Sequence, residues 1–360
     1  MKFLKKHTVP LAGLLLGVLA ALAVLWGNPK NMGVCIACFL RDTAGALGLH
    51  SATAVQYVRP EIIGIVLGAC GAALLTGEFK SRGGSSPFTR FALGAFAMVG
   101  CLMFLGCPLR MTLRLAGGDL TALSGLIGFV FGIGSGCFFL NRGFSLGRSH
   151  AQTAIEGAIF PLTQVLVLTL LLFTPALLHF TAAGEGPGGS RAAIAVSLGC
   201  GLVAGAVAQR TRLCFAGGLR DTILFRDTHL LKGFIAVFLG ALATNLLLTA
   251  VTSENYFTLS FENQPVAHTD AVWNGLGMLL TGLCAVLLGG CPLRQLVLAG
   301  EGSGDSAFAV LGLVAGAALC HNWGLASSAT GPTANGKIAV VLCLAATVAI
   351  AAVNTFRKKK

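Results

Sequence analysis

The chain has 360 residues, of which 55% are hydrophobic and only 11% are charged. Because soluble domains carry roughly 25% charged residues, this composition excludes a water-soluble globular protein and predicts an all-α, polytopic membrane protein. The formal net charge is +12, but the basic residues are divided among separate loops rather than gathered in one stripe, which argues against a nucleic-acid partner.

Apolar runs long enough to cross about 30 Å of hydrocarbon recur along the whole chain. We predict one transmembrane domain over residues 1–355, with spans at 9–26, 60–77, 88–105, 121–140, 157–181, 191–209, 231–252, 271–289, 305–322 and 336–354. The first run follows the basic start KFLKKH, so a cleaved signal peptide is the alternative for that segment. We keep it as a span because the internal repeat described below needs it.

The basic residues indicate how the chain is threaded. With the N terminus in the cytoplasm, most of the 25 lysines and arginines lie in cytoplasmic segments, while the loop 253–270 contains none. This asymmetry follows the positive-inside rule. It predicts that both termini are cytoplasmic and that the loop 253–270 is external.

The two halves of the chain repeat three landmarks in the same order. Residues 35–43 and 214–222 both read Cys-x-Ala-x-x-Leu-Arg-Asp-Thr, and residues 106–110 and 290–294 both read Gly-Cys-Pro-Leu-Arg. A weaker third landmark is a glycine-rich span that ends at Cys137 or Cys320. Such self-similarity predicts a duplicated unit, with a first repeat over 9–181 and a second over 191–354.

Each repeat contains five predicted spans, and an odd number forces the second copy to enter the membrane from the opposite face. Inverted repeats build transporters whose substrate route lies near the bilayer midplane. We therefore predict two inverted repeats, with about ten transmembrane helices and short broken or re-entrant helices around a central pore.

The Gly-Cys-Pro-Leu-Arg motif predicts a broken helix. Proline is disfavoured inside a helix but suits its first position, so a helix should end near Gly106 or Gly290 and a short one begin at Pro108 or Pro292. The intervening cysteine would then lie at a cap, beside free N–H groups at the positive end of a helix dipole. That environment favours an anion, either a thiolate or a solute.

Four arginines lie in the repeated motifs, and burying their charged side chains in a membrane costs free energy. For Arg110 and Arg294, contact with a substrate and a structural role at a helix end both remain open. The adjacent pairs Arg41–Asp42 and Arg220–Asp221 are predicted to be structural, but sequence neighbours do not face each other on a helix. Each member should therefore pair with another residue, such as one in the other half.

The remaining cysteines and the histidines show no pattern that is typical of an enzyme active site. Cys70, Cys200 and Cys343 lie among small apolar residues, where a cysteine is predicted to pack as a small hydrophobic side chain. The histidines lack metal-ligand spacing, and no phosphate-binding glycine loop is present. We expect no catalytic residue, no metal and no cofactor.

The segments NMGVCIACFLRD (31–42) and RTRLCFAGGLRD (210–221), with the doubled GCPLR, resemble the YeeE/YedE membrane family, in particular its branch assigned to selenium transport. The resemblance implies a carrier of sulfur-containing anions such as thiosulfate, in the bacterial cytoplasmic (inner) membrane. The family's substrate-translocating cysteines correspond to Cys35, Cys107 and Cys291, with Cys214 as the symmetry mate of Cys35. Cys38, which stands where the second half has Gly217, and the Pro-Leu-Arg segments leave the substrate open between thiosulfate and a selenium species.

The leading hypothesis is uptake of a small inorganic sulfur or selenium anion through a cysteine-lined central constriction. The expected partners are the lipid bilayer and a cytoplasmic protein that accepts sulfur or selenium. The alternative is a membrane thiol oxidoreductase that uses the Cys35-x-x-Cys38 motif, although a second cysteine pair or quinone site is not evident. The predicted translocation residues are Cys35, Cys107, Cys214, Cys291, Cys137, Cys320, Arg110 and Arg294.

Overall fold

A computed structural model describes residues 2–356, with side chains from residue 7 onward. The described chain is mainly helical, with one antiparallel pair of two-residue strands, β1 (Arg82–Gly83) and β2 (His150–Ala151), and 3-10 turns at Thr53–Val55 and Pro175–Leu177. The helices are α1 (Lys2–Leu25), α2 (Ile36–Ala46), α3 (Pro60–Leu75), α4 (Pro87–Phe104), α5 (Pro108–Ala116), α6 (Ala122–Asn141), α7 (Ala154–Phe173), α8 (Gly186–Gly189), α9 (Ile194–Thr211), α10 (Phe215–Phe225), α11 (His229–Val251), α12 (Ala271–Leu288), α13 (Pro292–Gly300), α14 (Gly304–Asn322) and α15 (Ala334–Phe356).

Within residues 2–356, ten stretches of helix are long and apolar enough to cross a membrane. They correspond to the ten predicted spans and confirm the all-α, polytopic membrane class. The fifth span is shorter than predicted, because α7 ends at Phe173 rather than continuing to 181. Pro175 begins a separate 3-10 turn there, since proline cannot continue the hydrogen bonding of the preceding helix.

The main helix contacts join the first half of the chain to the second. Helix α1 packs on α11, α3 on α9, α4 on α14 and α6 on α12. Small residues let the backbones of these helix pairs come close together. A Cβ atom at Gly128 of α6, for example, would overlap the carbonyl group of Gly275 in α12. Exchanging corresponding helices of the two halves reproduces this list of contacts, as two-fold related repeats require. The repeat boundaries 9–181 and 191–354, and their inversion, stay predictions.

The short helices α5 and α13 lead to different sets of loops. The carbonyl of Gly117, after α5, accepts a hydrogen bond from the Thr258 amide (2.9 Å) in the loop 253–270. The carbonyl of Glu301, after α13, accepts one from the Lys80 amide (3.0 Å), next to β1. Helix α5 thus ends at the loop 253–270, and α13 ends at the basic loop around residue 80. The prediction that both termini are cytoplasmic depends on Met1 and residues 357–360, which lie outside the described residues.

Candidate functional site

Four short helices each begin directly after a buried cysteine. Helices α2, α5, α10 and α13 have as their N-cap residues Cys35, Cys107, Cys214 and Cys291. The predicted breaks are confirmed, because α4 and α12 each end three residues before the central cysteine and α5 and α13 begin at proline. Proline fits there because the first helical N–H has no partner within the helix.

The four cap cysteines meet in two pairs. The Sγ atoms of Cys35 and Cys107 lie 3.8 Å apart, and those of Cys214 and Cys291 lie 3.7 Å apart. We call them the first and the second thiol pair. Each pair joins the first and second landmark of one half, so two helix N-termini converge on each pair. Convergent N-termini concentrate partial positive charge and favour an anion.

Backbone amides point at the sulfur atoms of both pairs. The Sγ atom of Cys214 accepts hydrogen bonds from the amides of Gly217 (3.2 Å) and Cys291 (3.4 Å). In the first pair, Cys35 accepts one from the amide of Cys38 (3.4 Å). Amides that converge on one acceptor form the kind of concavity that binds anions. The thiol sites can therefore interact with a negatively charged solute as well as with its soft atoms.

Arg110 is fully buried beside the first thiol pair. Its guanidinium donates to the carbonyl groups of Asn31 (2.9 Å), Val266 (3.0 Å) and Leu105, and to the Sγ atom of Cys38 (3.4 Å). No carboxylate among the described residues lies within ion-pair distance of it. A buried charge without a counter-charge is unfavourable, so this site gains from an anion.

Arg294, the corresponding residue of the second half, has a different partner. Its Nη1 atom lies 3.0 Å from Oε1 of Glu301, and both side chains are largely buried. The carbonyl groups at the break between α12 and α13 are bonded by another side chain, because Gln295 donates to Leu288 (3.1 Å) and Gly290 (3.3 Å). The two repeated arginines are thus equivalent in sequence but not in charge balance.

The Arg-Asp motifs pair internally, so the prediction that neighbours in sequence would not pair is wrong. Arg41 lies 2.6 Å from Asp42, and Arg220 lies 2.8 Å from Asp221. An arginine side chain is long enough to fold back past its own backbone to the next residue. The second oxygen of Asp42 binds Arg59 (2.7 Å), which belongs to the same half of the chain.

Cys137 and Cys320 are buried near the ends of α6 and α14, and the hydrogen bonds of the described chain do not join either of them to a cap cysteine. The structure therefore does not bring them to either thiol pair. Two cysteines that the sequence did not single out make polar contacts instead: Cys101 with Thr281 (3.7 Å) and Cys284 with Thr347 (3.6 Å).

Two buried arginines outside the repeated motifs also escaped the sequence analysis. Arg59 binds Asp42, and Arg114 pairs with Asp119 at 2.7 Å. Arg114 also lies over the Phe104 ring, 4.2 Å from its centroid. An acidic residue five positions after an arginine in an apolar segment is the signal that could have identified the second pair.

A small cavity of about 50 Å³, with both polar and apolar side chains in its wall, lies near the loop 253–270. Its wall includes Asn31, which also accepts a hydrogen bond from Arg110. The Asn31 side chain bonds that of Gln264 at 3.1 Å and so connects the chain before α2 to the loop. The cavity thus adjoins the arginine of the first thiol pair. Among the described residues, no three His, Cys, Asp or Glu side chains are placed to hold a metal ion.

Comparison with known proteins gives two matches. Residues 210–357 match the model of a family described as Sulphur transport. A segment of 111 residues is 35% identical to the thiosulfate transporter TsuA of Spirochaeta thermophila and covers 31% of this chain and 31% of that protein. The similarity thus spans about a third of the length of the relative.

Proposed function

Because the chain belongs to the YeeE/YedE sulfur-transport family, we propose that it is a transporter rather than an enzyme and that it takes up a small sulfur- or selenium-containing anion. The anion would pass through a central constriction lined by the first and second thiol pairs. Thiosulfate is one candidate, as in the name of the relative, and a selenium oxyanion is the other. The proposed setting is a bacterial inner membrane with both termini cytoplasmic.

The observation that carries this proposal is the placement of four thiols at four converging helix N-termini. Cysteine sulfur is soft and only a weak hydrogen-bond donor or acceptor, which suits the sulfur or selenium atom of the substrate. Helix-end amides attract its negative charge. Conduction needs contacts that are strong enough for entry and weak enough for release, and several weak thiol contacts in sequence meet both needs.

The route is proposed to run from the loop 253–270 to the basic loops. The first thiol pair lies beside Arg110, which bonds Val266 of that loop, and the second precedes α13, which leads to Lys80. If the two repeats are inverted, both pairs lie on one pore between these loops. A cytoplasmic protein that accepts sulfur or selenium would remove the anion after release.

Uptake of radiolabelled thiosulfate and selenite into proteoliposomes tests the proposal. We expect Cys107→Ser and Cys291→Ser each to lower the rate by about tenfold or more, since the anion must pass both pairs. Cys70→Ser is the matched control, because Cys70 lies in α3 away from both pairs and should leave the rate unchanged. Normal uptake by a Cys107→Ser, Cys291→Ser double variant would contradict the thiol-lined route.

The oxidoreductase alternative makes a different prediction about Cys38. The Sγ atom of Cys35 contacts Cys107, whereas that of Cys38 contacts the Leu105 carbonyl (3.8 Å) and Arg110. A transporter should retain uptake in Cys38→Ser, since a hydroxyl can keep both contacts. A dithiol enzyme would lose its activity completely in the same variant.

A further inference from the structure

The arginines that follow the two central cysteines differ in charge balance, although the same motif builds both halves. In each half the short helix continues into Leu-Ala-Gly, at residues 115–117 and 298–300. The next residue is Gly118 in the first half and Glu301 in the second. In the part of the chain that the structure describes, only the second arginine therefore has a carboxylate partner from its own helix end.

We propose that this difference makes the two thiol pairs unequal binding sites for the anion. The uncompensated charge of Arg110 holds the anion at the first pair. Glu301, acting through Arg294, keeps binding at the second pair weak, so that the anion leaves there. This inference rests on the proposed transport function and assigns Glu301 a positioning role within it.

The physical reason is the net charge that each site presents. An attraction between unit charges grows several-fold when water is removed, so an unpaired buried guanidinium binds an anion far better than one that already has a carboxylate 3.0 Å away. Converging helix N-termini are present at both pairs, with two amides bonded to the sulfur of Cys214 and one to that of Cys35. The ion pair of Arg294 with Glu301 is the difference in full charge between the two repeated arginines.

The partners of Arg110 are also ones that an anion can replace. The guanidinium donates to neutral carbonyl groups of Asn31 and Val266, which are weaker partners than a charged oxyanion. An anion that arrives from the small cavity beside Asn31 can compete for these donors. The carboxylate of Glu301 is itself charged, so an arriving anion has no comparable advantage over it as a partner of Arg294.

The decisive variant is Glu301→Gln, studied in proteoliposomes with labelled thiosulfate. Removing the carboxylate leaves Arg294 unpaired, so we expect KM and kcat to fall together by about tenfold as the anion binds more tightly and leaves more slowly. Glu301→Asp keeps the charge and should remain close to the wild type. Glu78→Gln is the matched control, because it removes a carboxylate from an exposed pair with Arg210.

Two further variants separate charge from folding. Arg294→Gln combined with Glu301→Gln makes the second site neutral again and should restore the wild-type KM. Cys38→Asp places a carboxylate beside Arg110, whose Nη1 atom lies 3.4 Å from the Cys38 sulfur, and should raise KM by about tenfold. Cys38→Asp tests whether the two sites are unequal even if Glu301→Gln fails to fold.

The outcomes distinguish this inference from the proposed function. A wild-type protein that moves neither thiosulfate nor selenite would overturn the transport function itself. Active wild type with an unchanged or raised KM in Glu301→Gln would overturn the unequal sites alone, as would an unchanged KM in Cys38→Asp. Protection of Cys291 from a small thiol reagent at lower thiosulfate concentration in Glu301→Gln would locate the tighter binding at the second pair.

Discussion

The two Arg-Asp motifs offer a matched test of how burial sets the value of an ion pair. Asp42 is completely buried and binds two arginines, Arg41 at 2.6 Å and Arg59 at 2.7 Å. Asp221 occupies the same position of the second motif but pairs with Arg220 alone among the described residues, and these two side chains are 20% and 27% exposed. The same Asp→Asn substitution therefore meets two different environments.

We expect Asp42→Asn to be strongly destabilising. The buried group changes from two guanidinium charges and one carboxylate to two guanidinium charges with no counter-charge, and breaking a buried ion pair costs about 3–5 kcal/mol. Asp221→Asn should cost about 1 kcal/mol or less, because solvent screens the remaining arginine. The contacts of Arg59 with the Phe39 ring (4.4 Å to its centroid) do not replace the lost carboxylate.

Unfolding of the two variants in detergent, followed by the midpoint of a thermal or denaturant transition, measures this difference. We expect a shift for Asp42→Asn that is several times that of Asp221→Asn, with uptake by the folded fraction retained in both. Equal shifts would refute the reasoning that burial and the second arginine, rather than the motif itself, set the contribution. A small shift in both would mean that Asp42 is not ionised in the folded protein.

Three further predictions concern packing, topology and pH. Gly128→Leu in α6 should abolish folding or lower the unfolding midpoint severely, because even a Cβ atom there overlaps α12. Gly134→Leu should be tolerated, because a Cβ atom at Gly134 has no neighbour within 4 Å; the yield of monodisperse protein measures both effects. In intact cells an impermeant thiol reagent should label Asn263→Cys in the external loop, while Ser145→Cys should react only after permeabilisation; equal labelling would show that the threading is wrong. The side-chain amide of Gln209 on α9 and the nearby Arg210 hold the pKa of the Glu78 carboxyl below its usual value. The ionised Glu78 therefore stabilises the fold slightly above the carboxyl pKa of the unfolded chain, and this contribution is lost as pH falls through the folded pKa. The stability difference between wild type and Glu78→Gln should vanish in acid.

The sequence by itself determined the features that depend on short stretches of chain. Long apolar runs predicted the ten spans, because their length and hydropathy are local properties. The breaks at Pro108 and Pro292 were predictable for the same reason, since proline acts on the backbone next to it. The cap positions of Cys107 and Cys291 follow from those breaks.

Only the tertiary structure decided which side chains meet. Cys35 and Cys107 are 72 residues apart in sequence, and Cys214 and Cys291 are 77 apart, so their pairing depends on how separate helices pack. The same is true of Arg59 with Asp42, and of the absence of Cys137 and Cys320 from both thiol pairs. Arg110 and Arg294 stand in identical motifs, yet their charge balance differs because a neighbouring carboxylate reaches only Arg294. Repeated sequence fixes repeated backbone, whereas charge balance depends on every group that the fold brings within a few ångströms.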